Sequence, residues 1–147
     1  MQVGTHLQSV LQMRKLLLSL VLATAVACGG DSTSPINASI AGTYKLQTIN
    51  GSALPYTILQ FGSDKIEFLD DQVTVNDGGT YTESGHIRTT ENGVVTTETI
   101  VDAGTYVRTG TAITFHSTSD NTDAPGTFNG SSITVVNEGL SAVYAKQ

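Results

Sequence analysis

The sequence predicts an all-β fold, a small antiparallel up-and-down barrel of about 8–10 strands. Many threonines stand beside valine, isoleucine or tyrosine, and such side chains pack better on a pleated strand than in a helix. Turn signals recur roughly every 8–12 residues after residue 40, which is typical of sandwiches and barrels. The same part of the chain lacks any amphipathic stretch of about ten residues with a helical period.

Four dipeptides indicate tight turns with positive φ: Asn50-Gly51, Asp77-Gly78, Asn92-Gly93 and Asn129-Gly130. Between the turns, strands are predicted at 43–49, 56–61, 65–69, 72–75, 79–84, 86–91, 94–101, 105–108, 112–117, 127–128, 132–136 and 142–146. Apolar and polar residues alternate in several of them, as at Ile66 and Phe68 or at Ile113 and Phe115. This alternation predicts strands with one buried face and one face in water.

Length, charge and cysteine usage exclude several classes of protein. The chain has 147 residues, which predicts one folded domain. Its formal net charge of −6, with only 7 Lys and Arg, argues against a nucleic-acid partner, because phosphate binding needs clustered basic side chains. A single cysteine excludes an internal disulfide framework and a zinc site built from several cysteines.

The amino-terminal 27 residues have the pattern of a leader and signal peptide. Met13-Arg14-Lys15 precedes an uncharged, mostly apolar run over residues 16–27 that ends in small side chains. The run is too short for a spanning helix, which needs about 20 apolar residues. Residues 1–12 contain no Lys or Arg and precede a complete signal, so we expect translation to start at Met13. Removing 1–27 takes away Arg14 and Lys15 and no acidic residue, which changes the formal charge from −6 to −8.

The lone cysteine directly follows this run. Ala25-Val26-Ala27-Cys28 resembles the bacterial lipobox, whose cysteine receives diacylglycerol and becomes the acylated amino terminus. The resemblance implies lipidation of Cys28, a flexible tether over 28–40, and a location in the bacterial cell envelope. In such lipoproteins an Asp directly after the cysteine retains the protein in the inner membrane. Because Gly29 holds this position, the resemblance implies an anchor in the outer membrane. The alternative is a free cysteine after an ordinary cleavage site.

Residues 41–147 carry short motifs of a known family. These motifs are Gly42-Thr43-Tyr44-Lys45-Leu46, Leu54-Pro55, Gly104-Thr105-Tyr106, and Val143-Tyr144-Ala145-Lys146. The segment resembles small bacterial lipocalin-like lipoproteins and their META-type relatives. The resemblance implies a lipocalin-like barrel in which Tyr44 holds the position of the family's tryptophan and Lys146 covers the ring.

Two functions follow as hypotheses. The first is a binding module for an apolar or amphipathic ligand inside the barrel. The residues that would line its interior are Tyr44, Leu46, Phe68, Tyr81, Ile113 and Phe115. The alternative treats the same side chains as plain core, with a filled barrel that contacts an envelope protein and no ligand. The acidic, threonine-rich segment 79–101 is then the candidate surface, because its arms around Asn92-Gly93 are long enough to project as a hairpin.

No catalytic chemistry is expected, and neither a cofactor nor a metal. His86 and His116 have serines nearby in sequence, but no nucleophile motif accompanies them, so they are expected on the surface. Two acidic groups stand at Asp64, Glu67, Asp70, Asp71 and Asp77, and at residues 120–123. Since they lack the spacing of a calcium loop, we expect these acids to be solvated.

Overall fold

The structure is a computed structural model that describes residues 38–147. These residues form ten strands, β1 (Gly42–Ile49), β2 (Ser52–Ala53), β3 (Tyr56–Phe61), β4 (Asp64–Val75), β5 (Thr80–Glu91), β6 (Val94–Thr109), β7 (Ala112–Ser117), β8 (Asp123–Phe128), β9 (Ser132–Asn137) and β10 (Leu140–Lys146). The predicted leader, the signal peptide and Cys28 lie outside the described residues. Within the described range there is no helix long and apolar enough to cross a bilayer.

Eight of the strands close into a barrel. From β4 to β10 each strand pairs antiparallel with the next, and β1 pairs with both β10 and β4. Strands β2 and β3 form an excursion between β1 and β4, with β3 pairing on the free side of β4. The predicted all-β, antiparallel up-and-down barrel is therefore confirmed.

Two of the predicted turn dipeptides have the backbone that two-residue hairpins require. Asn50 and Gly51 have φ values of 51° and 76°, and Asn92 and Gly93 have values of 52° and 79°. Positive φ at both central residues matches the turn to the right-handed twist of the strands. The turn at Asn92 and Gly93 joins β5 to β6, with Glu91 paired to Val94.

Three strands, β4, β5 and β6, each join two segments that the sequence predicted as separate strands, because two glycines and one bulge lie within strands. The predicted breaks at Gly85 and Gly104 were wrong. A Cβ on Gly85 would meet the side chain of Asp71, and one on Gly104 would overlap the carbonyl oxygen of His116. Each glycine permits close approach of a neighbouring strand inside a continuous ladder. In β4 the register shifts between Phe68 and Asp70, and the strand continues through this bulge.

The core fills the interior of the barrel. Its buried apolar members are Ile40, Tyr44, Leu46, Ile49, Val73, Val75, Tyr81, Ile113, Phe115, Phe128, Ile133 and Tyr144. Tyr44 packs edge-on against Phe128, with ring centroids 6.4 Å apart. Since burying one large apolar side chain contributes roughly 1.5–3 kcal/mol, this cluster is the main stabilising element of the domain.

One end of the barrel is covered by basic side chains and by the chain that leads into β1; we call it the closed end. The Lys146 ammonium lies 5.7 Å from the centre of the Tyr44 ring, as the resemblance implied, and Arg108 lies 4.7 Å from that of Phe128. Arg108 also donates to the carbonyl of Ala38 at 2.8 Å, and Lys146 to that of Ser39 at 3.1 Å. Residues that the sequence assigned to the tether are thus held against the barrel.

At the other end the barrel strands β4, β5 and β6 continue past the barrel, and β3 pairs beside β4. β6 pairs with β7 only from Gly104 onward, whereas it pairs with β5 along the whole of β5. Likewise β4 pairs with β1 only over 72–75 and with β3 over 64–68. The segments 56–61, 64–69, 86–91 and 94–101 form the projecting sheet. The predicted projecting hairpin around Asn92-Gly93 is confirmed as two of its four strands.

Candidate functional site

The structure brings the predicted ligand-lining residues together, and it brings them together as core. Tyr44, Leu46, Tyr81, Ile113 and Phe115 are all buried, and Phe68 packs against them while partly exposed. The rings of Tyr81 and Phe115 meet edge to face, with centroids 5.1 Å apart. These side chains belong to the buried apolar core of the barrel or pack against it.

Beside this apolar cluster lies a buried carboxylate that the sequence analysis expected in water. The Asp71 side chain points inward from β4, where the Tyr144 hydroxyl donates to Oδ2 at 2.7 Å and the Gln72 amide donates to Oδ1 at 2.8 Å. Burial, together with the adjacent Asp71 carboxylate, raises the pKa of Tyr144 well above its usual value. The expectation that the acids are solvated was wrong for Asp71, because the alternation of β4 turns this residue inward.

A second inward carboxylate, Asp102 on β6, was not singled out by the sequence analysis. It accepts hydrogen bonds from the Tyr81 hydroxyl at 2.7 Å, the Ser117 hydroxyl at 2.7 Å and the Ser119 hydroxyl at 2.8 Å. Burial raises the pKa of Asp102, but the three hydroxyl donors outweigh it and hold the pKa below the usual range. The available signal was its spacing of two residues from Gly104, which places both on the inner face of β6.

Glu67 is buried like Asp71, and it lies on the opposite face of β4 from Phe68. Lys65 Nζ approaches one carboxylate oxygen at 2.9 Å, and Arg88 Nε donates to the other at 2.9 Å. The hydrogen bond from Lys65, supported by Arg88 and opposed by burial, holds the pKa of Glu67 below its usual value. Here too the expectation of a solvated acid was wrong, because two cationic side chains cover the carboxylate.

His86 and His116 both lie on the outer surface and pair with aspartates. His86 Nδ1 is 2.7 Å from Asp70, and His116 Nδ1 is 2.7 Å from Asp123. Ser117 hydrogen-bonds Asp102 and Ser119, so it forms no nucleophile–base pair with the neighbouring His116. Among residues 38–147, no group of three or more His, Cys, Asp or Glu side chains could hold a metal ion.

Exposed apolar side chains concentrate on the projecting sheet. In the part of the chain that the structure describes, seven large apolar side chains are exposed: Ile58, Phe61, Val94, Val95, Val101, Val107 and Val136. All but Val107 and Val136 belong to the projecting sheet. Val101 is 74% exposed and Phe61 71%. Apolar groups clustered at one end of a small protein are typical of a surface that contacts a partner.

The strands of this sheet also have free edges. Strand β3 has a neighbour on one side only, and β6 has none beside residues 94–102 on the side away from β5, within the described range. An unpaired edge offers backbone donors and acceptors to another strand. The projecting sheet is therefore the candidate functional site on geometric grounds.

Searches against protein-family models, curated proteins and solved structures find no match to this chain.

Proposed function

We propose that this protein is a lipid-anchored component of the bacterial cell envelope whose filled barrel presents the projecting sheet to a protein partner. The observation that carries the proposal is the contrast between the packed interior and the exposed apolar side chains of the projecting sheet. No catalytic step, cofactor or nucleic acid is part of this function.

The packed interior supports an interaction role over ligand binding inside the barrel. A ligand there would displace side chains such as Tyr44, Ile113 and Phe128, which are fully buried and in mutual contact. Ligand pockets are usually largely formed before the ligand arrives. The resemblance to lipocalin-like lipoproteins therefore supports the barrel scaffold more directly than it supports their mode of binding.

Ligand binding stays as the second candidate because one apolar wall leads out of the barrel. Phe68 packs against the core, and its strand neighbour Ile87 is half-buried, as is Ile100 beside Gly85. An apolar fluorophore added to residues 33–147 tests this candidate, because all core residues lie in this compact unit. Saturable fluorophore emission with the unmodified protein that is lost with the Ile87→Ser variant supports ligand binding. Equal emission with the two proteins refutes it.

The membrane anchor rests on the sequence alone. Three acyl chains on Cys28 would exceed the two that stable attachment requires, and the tether after it would let the barrel stand off the bilayer. Replacing Cys28 with Ser should move the protein from the membrane fraction to the soluble fraction. Retention of Cys28→Ser in the membrane fraction would contradict lipidation.

A photo-cross-linking amino acid tests the interaction surface in intact cells. We compare position 101 on the projecting sheet with position 136 on β9, since both carry exposed valines that point outward. The proposal expects protein adducts from position 101 and few from position 136. Equal yields from both positions, or no adducts from position 101, would overturn it.

A further inference from the structure

The free edge of β6 has a defined set of backbone groups. Thr118 N donates to Ala103 O at 3.0 Å on the β7 side, and Tyr106 N donates to Gly79 O at 2.8 Å on the β5 side. The pairing of β5 with β6 runs from Glu91 and Val94 to Thr80 and Thr105 without a register shift. Backbone direction alternates along such a strand, so the odd-numbered residues of β6 point their N–H and C=O away from β5.

Four residues therefore present backbone groups at this edge that have no partner among residues 38–147. They are Val95, Thr97, Thr99 and Val101. The stretch 94–101 has no proline, no lysine and no bulge, and Glu98 is its only charge. Natural edge strands usually carry such features to prevent pairing with another chain. The absence of proline, lysine and bulges over these eight residues indicates an edge that pairs with another strand.

We propose that this edge pairs antiparallel with the same edge of a second copy of the chain, with Thr97 of one copy opposite Thr97 of the other. This inference rests on the proposed function, since it names the partner of the projecting sheet. A twofold axis perpendicular to the sheet produces the pairing, and it joins four-stranded sheets into one of eight strands. Lipid anchors would favour it by confining copies to one membrane surface.

The side chains of the edge complement one another in this register. Val95 lies opposite Thr99 of the second copy. The two Thr97 residues lie opposite each other at the axis and exchange backbone N–H to C=O hydrogen bonds. On the other face Val94 lies opposite Ile100. β-branched cross-strand pairs of this kind stabilise sheets. The shared edge covers the exposed surface of Val94 and Val95, which are 64% and 59% exposed in the single copy.

Neighbouring registers are worse for electrostatic and apolar reasons. With the axis at Glu98, the two Glu98 carboxylates would be directly opposite, and Val94 would face Asp102. Like charges directly opposite destabilise a sheet. With the axis at Thr96, Val94 would face Glu98. With the axis at Thr97, each Glu98 faces Thr96 instead. The position of the one charge thus selects the register.

Disulfide trapping in residues 33–147 tests the register, because this compact unit contains no cysteine. Cα atoms of a hydrogen-bonded antiparallel pair are about 5.5 Å apart, which suits a disulfide. Under oxidation by air with a copper catalyst, Thr97→Cys should form a covalent dimer. The matched control Thr99→Cys has the same face and edge, but its two copies would be separated by over roughly 10 Å along the strands. It should stay monomeric, and mixing Val95→Cys with Thr99→Cys should restore the cross-link.

Sedimentation equilibrium of the unmodified unit supplies the second measurement. A dimer is expected, and Thr97→Pro should convert it to a monomer with an unchanged circular dichroism spectrum, because the lost N–H faces away from β5. A monomer at every concentration, or equal cross-linking at positions 97 and 99, would overturn the pairing. If the cross-linker at position 101 captures an unlike protein while the unit stays monomeric, this inference fails and the proposed function stands.

Discussion

The barrel and the projecting sheet share the long strands β4, β5 and β6. The two regions differ in how many neighbouring strands these strands have and in how far their side chains are buried. Inside the barrel each strand has two neighbours and its inner face packs on the core. Beyond the barrel, β6 loses one neighbour and its valines are exposed. Continuous strands thus carry two regions of unequal stability, because only closure provides a partner for every edge and an apolar interior.

The largest expected difference comes from a matched pair of phenylalanines. Phe128 is 2% exposed in the barrel, whereas Phe61 is 71% exposed on the projecting sheet. Phe128→Ala should lower the free energy of unfolding by about 3–5 kcal/mol, since it leaves a cavity under the Arg108 side chain. Phe61→Ala should change it by roughly 0.5 kcal/mol or less. Urea unfolding of both variants measures the difference, and equal losses would break the comparison.

A matched pair of glycines should give a smaller difference. Gly104→Ala places a methyl group against the His116 carbonyl in the barrel wall, so we expect a loss of about 1–3 kcal/mol. Gly78→Ala is the control, because among residues 38–147 no atom other than those of Gly78 and its chain neighbours lies within 4 Å of the added carbon. It should be neutral or stabilising by up to roughly 1 kcal/mol. Thermal unfolding tests both variants. An unchanged stability in Gly104→Ala would contradict the close approach of the His116 carbonyl to Gly104.

The smallest expected effect is a dependence of barrel stability on alkaline pH. Because the pKa of Tyr144 is raised in the folded state, its stabilising contribution is complete below the ordinary tyrosine pKa of about 10. Above that pH the unfolded chain loses the proton while the folded chain keeps it, so the free energy of unfolding falls. Tyr144→Phe should reduce this slope in urea titrations at increasing pH. An unchanged slope would assign the effect to other tyrosines such as Tyr81.

Much of the fold could be predicted from local sequence patterns. The alternation at Tyr44 and Leu46 or at Ile113 and Phe115 predicted which side chains face inward, because side chains on a strand alternate between two faces. The dipeptide Asn92-Gly93 predicted a hairpin turn, because its residues adopt positive φ at low cost. Both features depend on a few consecutive residues.

The buried polar groups of the barrel and the candidate site were harder to predict from the sequence, because their features depend on strands distant in sequence. Gly104 looks like a break until β7 lies beside it, and no residue near Asp102 in sequence indicates that hydroxyls from Tyr81 and Ser117 will surround it. The projecting hairpin was predicted from its length, but its open edge follows from where β7 ends.

The sequence by itself determined the all-β class, many of the inward apolar side chains and the positions of several turns, since these follow from strand period and local backbone preference. The tertiary structure alone decided that β1 closes the barrel against β4, that the inward side chains of distant strands form one buried core, and that residues 94–102 of β6 have no strand beside their outer edge among residues 38–147. The physical reason is that strand partners, burial and edge exposure are set by contacts between distant segments, whose register and number no local pattern specifies.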